Sequence, residues 1–95
     1  MTDLEISKAL ALAIGWDDLW VDKHGQLWVG LKAEELHEGI FDYRDWNVIG
    51  PIAEWYKCFP QGMGGEWYSR CGDRIAVFAD TPRKAVALAV IGAKQ

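Results

Sequence analysis

The sequence predicts an α+β domain, an antiparallel sheet of about four strands in two hairpins with helices packed on it. Three observations point there. Apolar residues recur at helical spacing near both ends of the chain. In between, short runs alternate apolar and polar residues around glycine-bearing turns. And 95 residues, about half of them apolar, suffice for one core, so a single domain is expected over residues 1–95.

The first helix is announced by Thr2 and Glu5 at capping-box spacing. Leu4, Ile6, Leu10, Ala13 and Ile14 then form an apolar stripe, and Gly15 suits a left-handed helix end. After it the period becomes extended. Leu19-Trp20-Val21 and Leu27-Trp28-Val29 flank Asp22-Lys23-His24-Gly25-Gln26, which reads as a hairpin with Gly25 at the left-handed position of a three-residue loop. That loop pairs Asp22 with Gln26 and therefore Trp20 with Trp28.

From Lys32 to Gly39 the chain is polar and acidic, with Glu34, Glu35 and Glu38 around Leu36, and reads as a loop or one helical turn. Phe41 to Arg44 reads as a short strand or an extended approach to the next helix, with Asp45 capping a turn. Proline inside a helix loses a hydrogen bond and clashes with the preceding turn, so Pro51 is placed at the start of a short helix ending near Cys58, with Ile52, Trp55 and Tyr56 inward and Pro60 beyond it. Gln61 to Gly65 reads as a flexible connection. Glu66 to Arg70 and Arg74 to Phe78, joined through Cys71-Gly72-Asp73, read as a second hairpin of open register. Thr81 as N-cap and Pro82 at the first helical position begin the last helix, whose Ala85, Val86, Leu88, Ala89, Val90 and Ala93 face the sheet, with Lys94 complementing the dipole.

Ten basic against fourteen acidic residues, a net charge of -4, argue against a sequence-independent grip on nucleic acid. No apolar run approaches the roughly 20 residues that span a bilayer. The acidic start, Thr2 to Glu5, is unlike a secretory leader. Cys58 and Cys71, without a secretory context, are read as reduced thiols, which places the chain in the cytoplasm.

No constellation of catalytic, cofactor or metal chemistry emerges. His24, His37, Cys58 and Cys71 lack the paired spacing of zinc ligands. Cys58 beside Phe59 and Pro60 has the apolar setting of a packing thiol rather than a nucleophile. Gly62 to Gly65 lacks the Gly-Lys-Ser/Thr ending of a phosphate loop. Asp17, Asp18 and Asp22 do not follow a calcium-loop spacing and read as a solvated acidic rim. Asp42, Arg44 and Asp45 are explained by a salt bridge and a helix cap. Metal, nucleotide and disulfide are all expected to be dispensable for folding.

Three stretches, Ile6 to Trp16, Phe41 to Asp45 with Ile52-Ala53-Glu54, and Asp80 to Ile91, resemble the phage ABA sandwich domain, a family of small proteins of tailed phages and prophages. The resemblance implies a sheet between helical layers, an α/β/α sandwich-like fold, and synthesis in the cytoplasm of an infected or lysogenic bacterium. It brings no catalytic set with it.

What remains distinctive is six tryptophans in an acidic chain. They read either as core and partly covered rim or, since so small a domain encloses only some of them, as core with one or two at the surface, where tryptophan is a frequent interface anchor. Trp16, Asp17 and Asp18, and Trp46, lie at element boundaries and are the expected protein-binding residues. The first functional expectation is a phage-encoded acidic protein that docks on a host or phage protein, for instance as an inhibitor of an anti-CRISPR or anti-restriction type. The second is a structural or accessory phage protein that forms a homo-oligomer.

Overall fold

The computed structural model describes residues 1–30 and 39–94. The acidic stretch expected as a loop or turn, His37 included, lies almost wholly outside them. The described elements are α1 (Asp3–Ala13), β1 (Leu19–Val21), β2 (Leu27–Val29), β3 (Gly39–Ile40), α2 (Trp46–Tyr56), β4 (Gln61–Met63), β5 (Glu66–Ser69), β6 (Val77–Ala79) and α3 (Pro82–Ala93). The fold is α+β, but the single four-stranded sheet is corrected to two three-stranded antiparallel sheets, ordered β1-β2-β3 and β4-β5-β6. Each expected hairpin acquired a third strand: Gly39–Ile40 joins β2, and Gln61–Met63 joins β5. Helix α3 packs against α1, α2, β5 and β6, while α1 packs against β2, so the helices link the two sheets.

Helix α1 begins as expected. Thr2 Oγ1 accepts from the Glu5 N–H at 3.1 Å, and Glu5 Oε1 accepts from the Thr2 N–H at 2.8 Å. Ile6, Leu10 and Ala11 are fully buried, Gly15 takes a φ of +106°, and Trp16 donates its N–H to the Ala11 carbonyl as the chain turns back. The first hairpin also forms in the expected register, with Trp20 opposite Trp28 and Gly25 at a φ of +79°.

Helix α2 starts five residues earlier than expected, and Pro51 sits inside it. Asp45 caps the helix proper, accepting from the Asn47 N–H at 2.9 Å. An internal proline costs about 3 kcal/mol, yet Val48, Ile49, Ile52 and Ala53 are all buried, and each large aliphatic side chain contributes about 1.5–3 kcal/mol. The proline and Asn47, whose carbonyl loses its partner, are both exposed. Starting at Trp46 also corrects the inward face. At about 100° per residue, Tyr56 continues the buried stripe while Trp55 falls about 90° to one side of it, and Trp55 is 65% exposed.

The flexible connection expected at Gln61 to Gly65 is instead a hairpin. Met63 pairs with Glu66, and Gly64 and Gly65 have φ of +59° and +87°. Two consecutive positive φ values are what a two-residue type I′ turn requires, and glycine meets that requirement without strain. The β5–β6 connection is longer than expected, with Ser69 opposite Val77. The cysteine reading is corrected too: Cys58 and Cys71 form a disulfide, with Cα atoms 4.7 Å apart. The end of α2 and the end of β5 meet in the packed fold, where the buried Ser69 hydroxyl donates to the Cys58 carbonyl at 2.7 Å. Thr81 caps α3 through the Lys84 N–H, with Pro82 in its first turn. The alanines among its buried positions, Ala85, Ala87 and Ala89, allow close approach of neighbouring elements.

Candidate functional site

Directly paired residues in an antiparallel sheet project from the same side. The registers Trp20↔Trp28 and Trp28↔Ile40 therefore lay one apolar row across all three strands of the first sheet. Alternation along β1 puts Asp18 and Asp22 on that side as well, one at each end of the strand. On the opposite side Leu27 and Val29 are buried in the core and Leu19 packs against it. Except at Val21, which is exposed at the end of β1, the aliphatic side faces inward, and the aromatic side faces out. Trp20 is 48% exposed, Ile40 is exposed and Trp28 half-buried, and the two indole rings are nearly parallel, with centroids 6.2 Å apart.

The two carboxylates are built into this face. Asp22 Oδ2 accepts from the Trp28 indole N–H at 2.8 Å, and its Oδ1 accepts from the backbone N–H groups of His24 and Gln26. The Trp28 indole first, then the Gln26 amide, hold the Asp22 carboxyl below the ordinary aspartate range. Asp18 lies over Gly30, where a Cβ would come within 2.7 Å of the Asp18 Cβ, and the Gly30 N–H donates to the Asp18 carbonyl at 2.7 Å. Gly30 thus has no side chain because Asp18 occupies the space.

The residues singled out in the sequence are distributed differently from expectation. Trp16 is 2% exposed and part of the core, so it is no surface anchor. Asp17 and Asp18 are exposed, and Asp18 belongs to the aromatic face just described. Trp46 is 46% exposed at the start of α2, away from that face, with the Arg83 guanidinium 5.4 Å from its ring centroid. Sequence reasoning missed Trp20, Trp28 and Ile40 as the outward row, although it read Asp22 with Asp17 and Asp18 as a solvated acidic rim. The Trp20–Trp28 register, which sets Asp18 and Asp22 beside the tryptophans, was readable, but it does not say which side of the hairpin faces out.

Two other regions contrast with this face. A cleft of about 180 Å³ lies between the start of α1, the first hairpin's turn and residues 41–44, lined by Asp3, Ser7, His24, Phe41, Asp42 and Arg44. Its Asp3, Ser7, Asp42 and Arg44 side chains are already engaged with one another or with Tyr43. Arg44 pairs with Asp42 at 2.8 Å and Asp3 at 3.2 Å, the Tyr43 hydroxyl donates to Asp3, and the Tyr43 N–H donates to Ser7 Oγ. Burial, then the Asp3 carboxylate, push the Tyr43 phenol well above its usual range, and Arg44 holds Asp42 below its own. This is a structural tie between α1 and the approach to α2. Among the described residues no three His, Cys, Asp or Glu side chains are grouped to hold a metal ion. The second sheet also presents aromatic residues outward, Tyr68 against Phe78 with ring centroids 5.5 Å apart, but the Tyr68 hydroxyl is bonded to Gln61 within the sheet.

No helix among the described residues is long and apolar enough to cross a membrane. No family model matches this chain, and no curated protein matches it.

Proposed function

We propose that this chain is a small acidic binding domain that acts by protein–protein contact, with the open face of the first sheet as its contact surface. The observation that carries this reading is the row Trp20, Trp28 and Ile40, exposed or half-buried and framed by Asp18 and Asp22. A flat apolar centre with a charged rim is the anatomy of a protein interface, and tryptophan is the side chain most often found at its energetic centre. The resemblance to phage ABA sandwich proteins supports a setting in the cytoplasm of an infected or lysogenic bacterium. Inhibition of a host defence complex is one concrete form of the contact. The cytoplasmic setting rests on the resemblance alone, because the paired cysteines withdraw the argument from reduced thiols.

The test is capture of the partner by tagged chain from infected or lysogenic cells, repeated with Trp20→Ala and with Trp55→Ala as a control on α2. Trp20→Ala is expected to abolish capture while lowering the melting temperature by no more than about 8 °C, and Trp55→Ala to leave capture intact. Equal capture by all three chains would refute the assignment of the face.

A homo-oligomer is the second reading, favoured by the exposed Met63 and Phe78 of the second sheet. Sedimentation of the isolated chain decides it: a monomer at micromolar concentration removes this reading.

A further inference from the structure

We propose that the partner supplies an extended segment that adds to the outer edge of β1 as a fourth strand, reading basic–x–apolar–x–basic where it lies against the Asp18–Trp20–Asp22 row. The proposal rests on the assignment of the first sheet as the contact surface and names the partner's chemistry. Strand β1 is the end strand of its sheet, and among the described residues nothing pairs with its outer side. The Asp18 carbonyl is bonded to Gly30 and the Asp22 N–H to the Gln26 carbonyl. In an antiparallel ladder such bonded pairs alternate with unbonded ones, so Trp20 bonds to Trp28 while Leu19 and Val21 turn their N–H and C=O groups outward. An edge with unpaired backbone groups is a template for another strand.

Side-chain chemistry selects which strand fits. Asp18 and Asp22 are four residues apart, roughly 13 Å along an extended chain, and an added strand runs about 4.8 Å away with the same repeat. Basic side chains at positions i and i+4 then meet the two carboxylates, and an apolar side chain at i+2 extends the Trp20–Trp28–Ile40 row. Asp22 uses three acceptor positions on its own hairpin, and a carboxylate has about four, so one remains for an incoming cation. A second copy of this chain is a poor occupant. Antiparallel self-pairing about Trp20 sets Asp18 opposite Asp22 of the other copy at both ends, and like charges directly opposed destabilise a pair.

The experiment uses the full chain and two nine-residue peptides of one composition. The first is centred on Arg-Thr-Leu-Thr-Arg. The second is centred on Thr-Arg-Leu-Arg-Thr, which sends its basic side chains to the face opposite the leucine. Amide exchange and chemical shifts are followed by NMR at low salt and millimolar peptide. The first peptide is expected to slow exchange at the Leu19 and Val21 amides and shift the Trp20 indole resonance, and the second to bind about tenfold more weakly. Asp18→Asn, whose backbone bond to Gly30 is retained, should weaken the first peptide about tenfold. Unprotected Leu19 and Val21 amides, or equal binding of the two peptides, would overturn strand addition. Loss of edge protection with capture still dependent on Trp20 removes this proposal and leaves the contact surface standing, whereas capture indifferent to Trp20 removes the surface itself.

Discussion

The two sheets share a plan and differ in what holds them. Each has three short antiparallel strands, one face toward the core and aromatic residues on the other. The second is fastened from outside its own ladder, by the Cys58–Cys71 disulfide and the Ser69–Cys58 hydrogen bond, and its Tyr68 hydroxyl is spent on Gln61. The first has no covalent tie. It is organised by Asp22, which gathers the turn and the Trp28 indole, and it keeps two carboxylates in line with an exposed tryptophan. The difference separates a sheet tied covalently to the end of α2 from one organised by the carboxylate at its own turn.

The largest expected effect breaks the second sheet. Removing the bond with Cys58→Ala and Cys71→Ser releases a loop closed over a separation of 13 residues, and should cost about 3 kcal/mol on the chain-entropy account. Urea unfolding measures the loss, and amide exchange locates it. Exchange should accelerate in β4, β5 and β6 and change little in β1 and β2. Equal acceleration in both sheets would show that the two are not separately secured.

The next effect is in the first sheet and is conformational. Gly25→Val forces a β-branched residue to a φ of +79° and should destabilise the fold by about 1–3 kcal/mol, measured by the same unfolding experiment. A smaller loss of about 0.2–1 kcal/mol is expected for Trp20→Ala, which removes a cross-strand pair from an exposed face. If Trp20→Ala instead unfolds the chain, the tryptophan is holding the sheet together and the contrast between the sheets fails.

The smallest effect is a pH dependence. Asp22 has its folded pKa lowered from 3.8 by the Trp28 indole and the turn amides. The stabilisation is therefore present above about 3.8 and is lost as pH falls through the lower folded value. The Trp28 indole N–H resonance should move with a midpoint below 3.8, and Asp22→Asn should remove that transition. A midpoint at or above 3.8 would mean that the Asp22–Trp28 bond does not favour the carboxylate.

What was legible in the sequence was local. The Thr2–Glu5 box, Gly25 in its loop and Thr81-Pro82 each act within a few residues, and all three are found where expected. Pro51 misled because its local cost was weighed without the Val48-Ile49-Ile52-Ala53 stripe that outweighs it. Gly64 and Gly65 were read as freedom when their positive φ values make a turn. The disulfide was out of reach because 13 residues and two strands separate cysteines that only tertiary packing brings together. At the site, the Trp20–Trp28 register was readable but the outward face was not. Both sides of the hairpin are apolar, and the choice between them is made by α1 packing on Leu27 and Val29.

The most direct test of the contact surface is site-specific photo-crosslinking in the cell that makes the protein. A photoreactive phenylalanine analogue is placed at Trp20 on the first sheet or at Phe78 on the second. A discrete adduct with a second protein is expected from position 20 and none from position 78. An adduct from position 78 alone, or only self-adducts from either position, would contradict the account.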